Sequence, residues 1–178
     1  MSLRSSVVAV IVLLLASFGM TQASTLEDKK NEWAFSLTAT DMEGFGSTAQ
    51  FTLDWSYIVA NGYFQLGVSA TGYRVDPDDP FEPESESSSA GPLFEWNWTP
   101  KKERATGYLL VSAQGTGGDV ADFYDGVGTL GVGVKAFVGN SAAINVLYAF
   151  DRLVGASGFD DQDQTRLTVG ISLYAIGR

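Results

Sequence analysis

Residues 166–175 read RLTVGISLYA and alternate strictly between two kinds of side chain. One parity is apolar (Leu167, Val169, Ile171, Leu173, Ala175), and the other is mostly small or polar (Arg166, Thr168, Gly170, Ser172, Tyr174). The same alternation recurs at residues 33–40 and 50–57. A period of two indicates a β-strand with two chemically different faces. Because the second face is small and polar instead of charged, we expect it to line a lumen while the apolar face contacts lipid.

The first residues of the chain have the pattern of a secretory leader. Arg4 precedes an apolar run from Val7 to Ala16, which is shorter than the roughly 20 residues that a membrane-spanning helix needs. Thr21 and Ala23 are small residues at the two positions that a signal peptidase reads. We therefore predict a cleaved signal peptide over residues 1–23 and a single barrel domain over residues 24–178.

The alternating segments, with the turn residues between them, predict eight strands. They are 32–41, 48–58, 62–75, 90–99, 105–114, 126–138, 141–152 and 164–176. An even strand count with no free sheet edge predicts an all-β fold, an eight-stranded antiparallel up-and-down transmembrane β-barrel. Short connections at 60–62, 100–104 and 139–140 are expected at the periplasmic end. Longer ones at 42–47, 76–89, 115–125 and 153–163 are expected outside the cell. Residues 141–154 also fit a helical stripe, but their period of two and their neighbours favour a strand.

The composition excludes several classes of function. The chain has no Cys and no His, which removes a disulfide scaffold and most catalytic and metal-binding options, so we predict no catalytic residue, metal or cofactor. A formal net charge of -10 argues against a nucleic-acid partner, because phosphate backbones select basic patches. Acidic pairs in the predicted loops, such as Asp78-Asp79 and Asp160-Asp161, offer oxygen ligands to cations, although solvated loop acids are the simpler interpretation.

A few charged residues have the parity that faces the lumen. Asp54, Glu95 and Lys135 lie on strands that run in the same direction, and we expect them to form one network. Asp151 and Arg166 are expected to meet near the outer rim. An eight-stranded barrel has an interior only wide enough for side chains, so this network predicts a plug, with an ion-conducting path as the alternative.

Five aromatic residues have the outward parity or lie near strand ends: Trp33, Trp55, Tyr57, Trp96 and Trp98. Amphipathic rings at these positions are typical of the girdles that mark a membrane interface. The alternative is the core of a soluble sandwich. The opposite faces of the strands lack the aliphatic bulk that such a core needs, which favours the girdle.

One hairpin allows the family to be named by resemblance. GVGTLGVGVKAFVGNSAAINVLYAFD, residues 126–151, resembles the penultimate hairpin of the small outer-membrane β-barrel family, the OmpA-type barrel of Gram-negative bacteria. The last strand partly matches the assembly signal of that family through Thr168, Gly170, Leu173 and Ala175. The resemblance implies a bare monomeric barrel without a periplasmic domain, located in the outer membrane.

These patterns predict a structural or surface-interaction role and no enzymatic activity. The expected partners are outer-membrane lipid and lipopolysaccharide, with cations or extracellular ligands at the acidic loops. Two alternatives remain open. One is a narrow, porin-like diffusion channel for small solutes, and the other is a soluble periplasmic barrel that encloses one apolar ligand.

Overall fold

The structure is a computed structural model that describes residues 25–42, 46–76, 85–101 and 104–176, with side chains except at 39–42, 46–48 and 75–76. It contains eight strands: β1 (Lys29–Met42), β2 (Gly46–Val59), β3 (Phe64–Asp76), β4 (Ser85–Asn97), β5 (Ala105–Gly118), β6 (Tyr124–Gly139), β7 (Ala142–Gly155) and β8 (Gln162–Ile176). Each strand pairs antiparallel with its sequence neighbour, and β8 pairs with β1. The predicted closed up-and-down barrel is therefore confirmed.

The two ends of the barrel are distinguished by the connections they carry. Connections 60–63, 98–104 and 140–141 lie at the end where the described chain begins and finishes, which we call the terminal end. Connections 119–123 and 156–161 lie at the opposite end, the loop end, where β1 and β3 also end and β2 and β4 begin. Two of these connections contain short 3-10 turns, Ala60–Gly62 and Asp119–Asp122. Among the described residues, no helix has the length and apolar character to cross a membrane.

The apolar parity of the strands faces outward. Ile171 is 54% exposed while its neighbour Ser172 is 0% exposed, and Phe51 and Leu173 are about half exposed as well. The opposite parity carries buried Ser, Thr, Gln, Glu, Lys and Asp side chains. This is the reverse of the arrangement that a sandwich core or a barrel enclosing an apolar ligand requires.

The strands extend farther than the apolar pattern predicts. β4 begins at Ser85 instead of residue 90, and β5 continues to Gly118 instead of residue 114. In these extensions the Ser and Gly residues pair across the ladder although they show no apolar alternation. The predicted sorting of connection lengths is wrong in two places, because β1 and β2 extend toward each other at the loop end and β4 ends at Asn97 instead of residue 99. The connection 43–45 at the loop end is only three residues long, and 98–104 at the terminal end is seven.

Some predictions fall outside the described residues. These are the signal peptide at 1–23, residues 43–45 of the first predicted loop, and most of the acidic connection after β3, including Asp78-Asp79. The segment with a competing helical pattern is described, and it forms strand β7.

Candidate functional site

The centre of the interior is a buried lysine held between two carboxylates. Lys135 on β6 is 1% exposed. Its Nζ lies 2.5 Å from Glu32 Oε2 and 2.6 Å from Glu95 Oε1. The same ammonium lies 4.9 Å from the centroid of the Tyr108 ring, which is within cation–π range. The two carboxylates thus share one buried cation, and the group keeps one formal negative charge.

Hydrogen bonds extend this cluster in both directions around the barrel wall. On one side Gln65 Nε2 donates to Glu95 Oε1 at 2.5 Å, and Ser56 Oγ donates to Gln65 Oε1 at 2.5 Å. On the other side Ser172 Oγ donates to Glu32 Oε1, and Asn145 Nδ2 donates to Ser172 Oγ. Each of the eight strands contributes one side chain to what we call the Lys135 belt: Glu32, Ser56, Gln65, Glu95, Tyr108, Lys135, Asn145 and Ser172.

A glycine makes room for the aromatic member of the belt. Gly133 on β6 is the cross-strand partner of Tyr108 on β5. A Cβ at Gly133 would lie 2.5 Å from the Tyr108 ring, so any side chain there displaces the ring. The glycine therefore leaves room for the ring, whose face lies toward Lys135 Nζ.

An apolar cluster lies at the terminal end of the barrel, next to the belt. Ile58, Phe137, Ala143 and Tyr174 each lie one inward position farther toward this end than a belt residue on the same strand, and all four are buried. Leu26, which precedes β1, completes the cluster with 0% exposure, and its backbone N–H donates to the Pro100 carbonyl at 2.9 Å. We call these five residues the Leu26 cap.

A second ion pair lies nearer the loop end. Arg166 Nε is 2.7 Å from Asp151 Oδ2, and its guanidinium also donates to Oδ1 at 3.3 Å. Thr129 Oγ1 donates to Asp151 Oδ1 at 2.6 Å. The Asp151 side chain is 3% exposed, whereas that of Arg166 is 15% exposed. This pair is less enclosed than the Lys135 belt and has fewer partners.

Asp54 lies between these two clusters and belongs to neither. It is one inward position closer to the loop end than Ser56 on β2. Its Oδ1 atom is buried and has no hydrogen-bond partner among the described residues. Two small cavities, of about 40 and about 30 Å3, adjoin it. The cavities are also lined by three leucines that sequence reasoning did not assign to the lumen: Leu93, Leu110 and Leu147.

The predicted lumen residues are thus only partly brought together. Lys135 contacts Glu95, and Arg166 contacts Asp151, but the third partner expected in the first group, Asp54, is replaced by Glu32. Parity along one strand gives the direction of a side chain, whereas its height relative to other strands depends on the stagger of the barrel. Glu32 begins the predicted strand 32–41 and has the same inward parity as Ala34 and Ser36, so the alternation of that strand was sufficient to identify it.

The five predicted girdle aromatics all face outward near the terminal end. Trp33 and Trp55 are cross-strand partners with ring centroids 6.3 Å apart, and Trp96 and Trp98 form an edge-on pair at 6.3 Å. Tyr57 lies two residues beyond Trp55 on β2. At the loop end a different pair, Phe123 and Phe159, joins two connections with ring centroids 5.1 Å apart.

Acidic residues of the loop end are engaged by the backbone. Asp161 accepts hydrogen bonds from the Arg152 guanidinium at 2.7 Å and from the Gly155 N–H at 3.0 Å. The Gly155 N–H and the Arg152 guanidinium hold the pKa of the Asp161 carboxyl below its usual range. Asp119 similarly accepts from the Glu86 N–H at 3.0 Å. In the part of the chain that the structure describes, no group of three or more His, Cys, Asp or Glu is placed to hold a metal ion.

Comparison with solved structures identifies a similar barrel. The chain is similar to the crystal structure of Neisserial surface protein A (NspA), with a TM-score of 0.55 and 14% sequence identity. The match covers 82% of this chain and 95% of the NspA chain. This likeness supports the barrel architecture. No protein-family model matches the sequence. No curated protein matches it either.

Proposed function

We propose that this protein is an integral outer-membrane β-barrel with a closed lumen, and that its role is structural or surface-interactive and not enzymatic. One observation carries the proposal, namely the inverted polarity of the barrel. Large apolar side chains are exposed around the outside, and ion pairs are buried inside. Soluble proteins rarely expose contiguous apolar patches beyond a few hundred Å2, whereas a barrel in lipid needs an apolar outer band.

The backbone supports insertion into lipid. Every strand is paired on both sides, since β8 closes on β1, so the described sheet has no open edge. In hydrocarbon, each unsatisfied backbone group costs several kcal/mol, and closed barrels are the β-structures that avoid this penalty. The outward aromatics near the terminal end are suited to the headgroup region on one side of the bilayer.

Two layers of side chains support a closed lumen. The Lys135 belt crosses the interior with one residue from each strand, and the Leu26 cap lies beneath it at the terminal end. The cavities beside Asp54 hold only about 40 and about 30 Å3, enough for a few water molecules each.

Location and partners follow from the same features. The predicted leader directs the chain out of the cytoplasm. The solved barrel that this chain resembles is named as a surface protein. We place the terminal end in the periplasm and the loop end outside the cell, with a single barrel per functional unit. The outer face contacts lipid and lipopolysaccharide, and the acidic connections are available to cations or extracellular ligands.

Cell fractionation tests the location. The expected result is recovery of the protein in the outer-membrane fraction, with a mobility on denaturing gels that changes when the sample is boiled, because an unheated barrel stays folded. Recovery in the soluble periplasmic fraction without detergent contradicts the proposal.

A narrow diffusion channel is the second candidate, favoured by the two cavities beside Asp54. Planar-bilayer recordings of the refolded protein separate the candidates. We expect no discrete openings from the wild type, because the Lys135 belt and the Leu26 cap both cross the interior. Discrete openings in the wild type support the channel and contradict a closed lumen.

A further inference from the structure

The interior contains more carboxylates than cations. Inward-facing acids on the described strands are Glu32, Asp54, Glu95 and Asp151, and the inward-facing cations are Lys135 and Arg166. Lys29 is also buried, but its ammonium donates to the Asn140 carbonyl in the β6–β7 connection. Even if Lys29 is counted, the acids exceed the cations. An uncompensated buried charge is strongly unfavourable, so this excess has to be neutralised by a bound cation or by a proton.

Two positive charges are missing by this count, one at the belt, where two carboxylates share one ammonium, and one at Asp54. Glu32 and Glu95 share Lys135, and Asp151 is paired with Arg166. Asp54 forms no ion pair of this kind with a described residue, and its buried Oδ1 has no hydrogen-bond partner among them. A buried carboxylate oxygen without a donor points to a ligand that supplies the positive end of the contact.

The surroundings of Asp54 suit a small hard cation. Both cavities that adjoin Asp54 are also lined by Ser36 and Thr168, and the smaller one is lined by Ser69, the cross-strand neighbour of Asp54. Carboxylate and hydroxyl oxygens are ligands that hard cations prefer. Lys135 also lines the larger cavity and Arg166 the smaller one, but each already pairs with carboxylates other than Asp54. Asp54 is therefore the carboxylate that is left for a further positive charge.

We propose that Asp54 binds a monovalent alkali cation of about the size of sodium inside the lumen, with hydroxyl oxygens and one or two water molecules completing its coordination. The cation neutralises Asp54 and links the Lys135 belt to the Asp151 and Arg166 pair. This site would be a permanent part of the folded interior and is independent of any ligand at the loops.

Urea unfolding in lipid vesicles tests the site. Wild type is compared in sodium chloride and in the chloride of N-methylglucamine, a cation too large for the cavities, at the same pH and at an ionic strength of about 0.1 M. If sodium exceeds its dissociation constant by about tenfold, the folding equilibrium constant rises about tenfold in sodium. Asp54→Asn is expected to abolish this difference. Asp122→Asn, the same change at an exposed loop-end residue, is expected to preserve it.

A second measurement covers the case in which Asp54→Asn does not fold. Ser36→Ala removes one oxygen ligand and is expected to weaken the dependence of stability on sodium. In sodium NMR spectra, the folded wild type is expected to broaden the sodium line more than folded Ser36→Ala does. Equal stability of the wild type in the two salts overturns the proposal and favours a proton on Asp54. A sodium dependence that survives in Asp54→Asn or is unchanged in Ser36→Ala also overturns it.

Discussion

Both halves of the lumen contain ion pairs, but the ion pairs differ in how completely they are buried. Near the terminal end, Lys135 is shared by two carboxylates, each of which has a further hydrogen-bond donor, and the Leu26 cap lies beneath. Nearer the loop end, Arg166 serves one carboxylate and remains partly exposed. An ion pair contributes to a fold according to how completely its groups are removed from water and satisfied. We therefore expect the terminal half to determine stability and the loop half to tolerate change.

The largest effect should follow from removing the cation of the belt. Lys135→Met leaves Glu32 and Glu95 buried without their common partner, and we expect a loss of about 5 kcal/mol in the free energy of unfolding. Urea titration in lipid vesicles measures it. The matched control is Lys101→Met, because Lys101 forms an exposed ion pair with Glu27 and should change stability by less than about 1 kcal/mol. Similar losses in the two variants would show that the belt is not a structural centre.

The corresponding change in the loop half should be smaller. Arg166→Met removes the cation from Asp151, but Thr129 still donates to that carboxylate and water can reach the site. We expect a loss of about 3 kcal/mol in the same titration. If Arg166→Met is as damaging as Lys135→Met, the contrast between the two halves does not hold.

Packing at the belt gives a third test. Gly133→Ala places a methyl group against the Tyr108 ring, and we expect about 1–3 kcal/mol of destabilisation from overpacking. Gly72→Ala on β3 is the control, since no heavy atom lies within 4 Å of a Cβ there. Its stability should equal or exceed that of the wild type. Equal effects of the two substitutions would contradict the role given to Gly133.

The smallest effect concerns the loop end, where Asp161 holds the Gly155 N–H. The folded-state pKa of Asp161 is lowered. The stabilisation that its carboxylate gives to the folded state is therefore present above the unfolded pKa of about 3.9, and it is lost as the pH falls through the folded-state pKa. We expect faster amide exchange at Gly155 in Asp161→Asn than in the wild type at neutral pH, without a change in global stability. Asp163→Asn is the control. Unchanged exchange at Gly155 would show that Asp161 does not hold this connection.

The barrel architecture could be predicted from the sequence because each strand has two chemically different faces. In β8 the alternation predicted which side chains face outward, and the structure agrees. The height of charged residues could not be read in this way, since it depends on the stagger between distant strands, and Asp54 was therefore grouped with Lys135 in place of Glu32. Leu26 precedes the first strand and carries no periodic signal, so its burial at the terminal end depends on tertiary contacts alone.

The polarity of the barrel wall is the claim on which the rest depends, and β8 allows a direct test. The chain has no Cys, so single cysteines introduced at residues 167–173 can be spin-labelled without background reaction. In lipid vesicles, oxygen, which concentrates in the bilayer, should collide often with labels at Leu167, Val169, Ile171 and Leu173, and rarely with labels at Thr168, Gly170 and Ser172. The inverse pattern, or no alternation, would contradict a barrel that presents its apolar parity to lipid and encloses its charges.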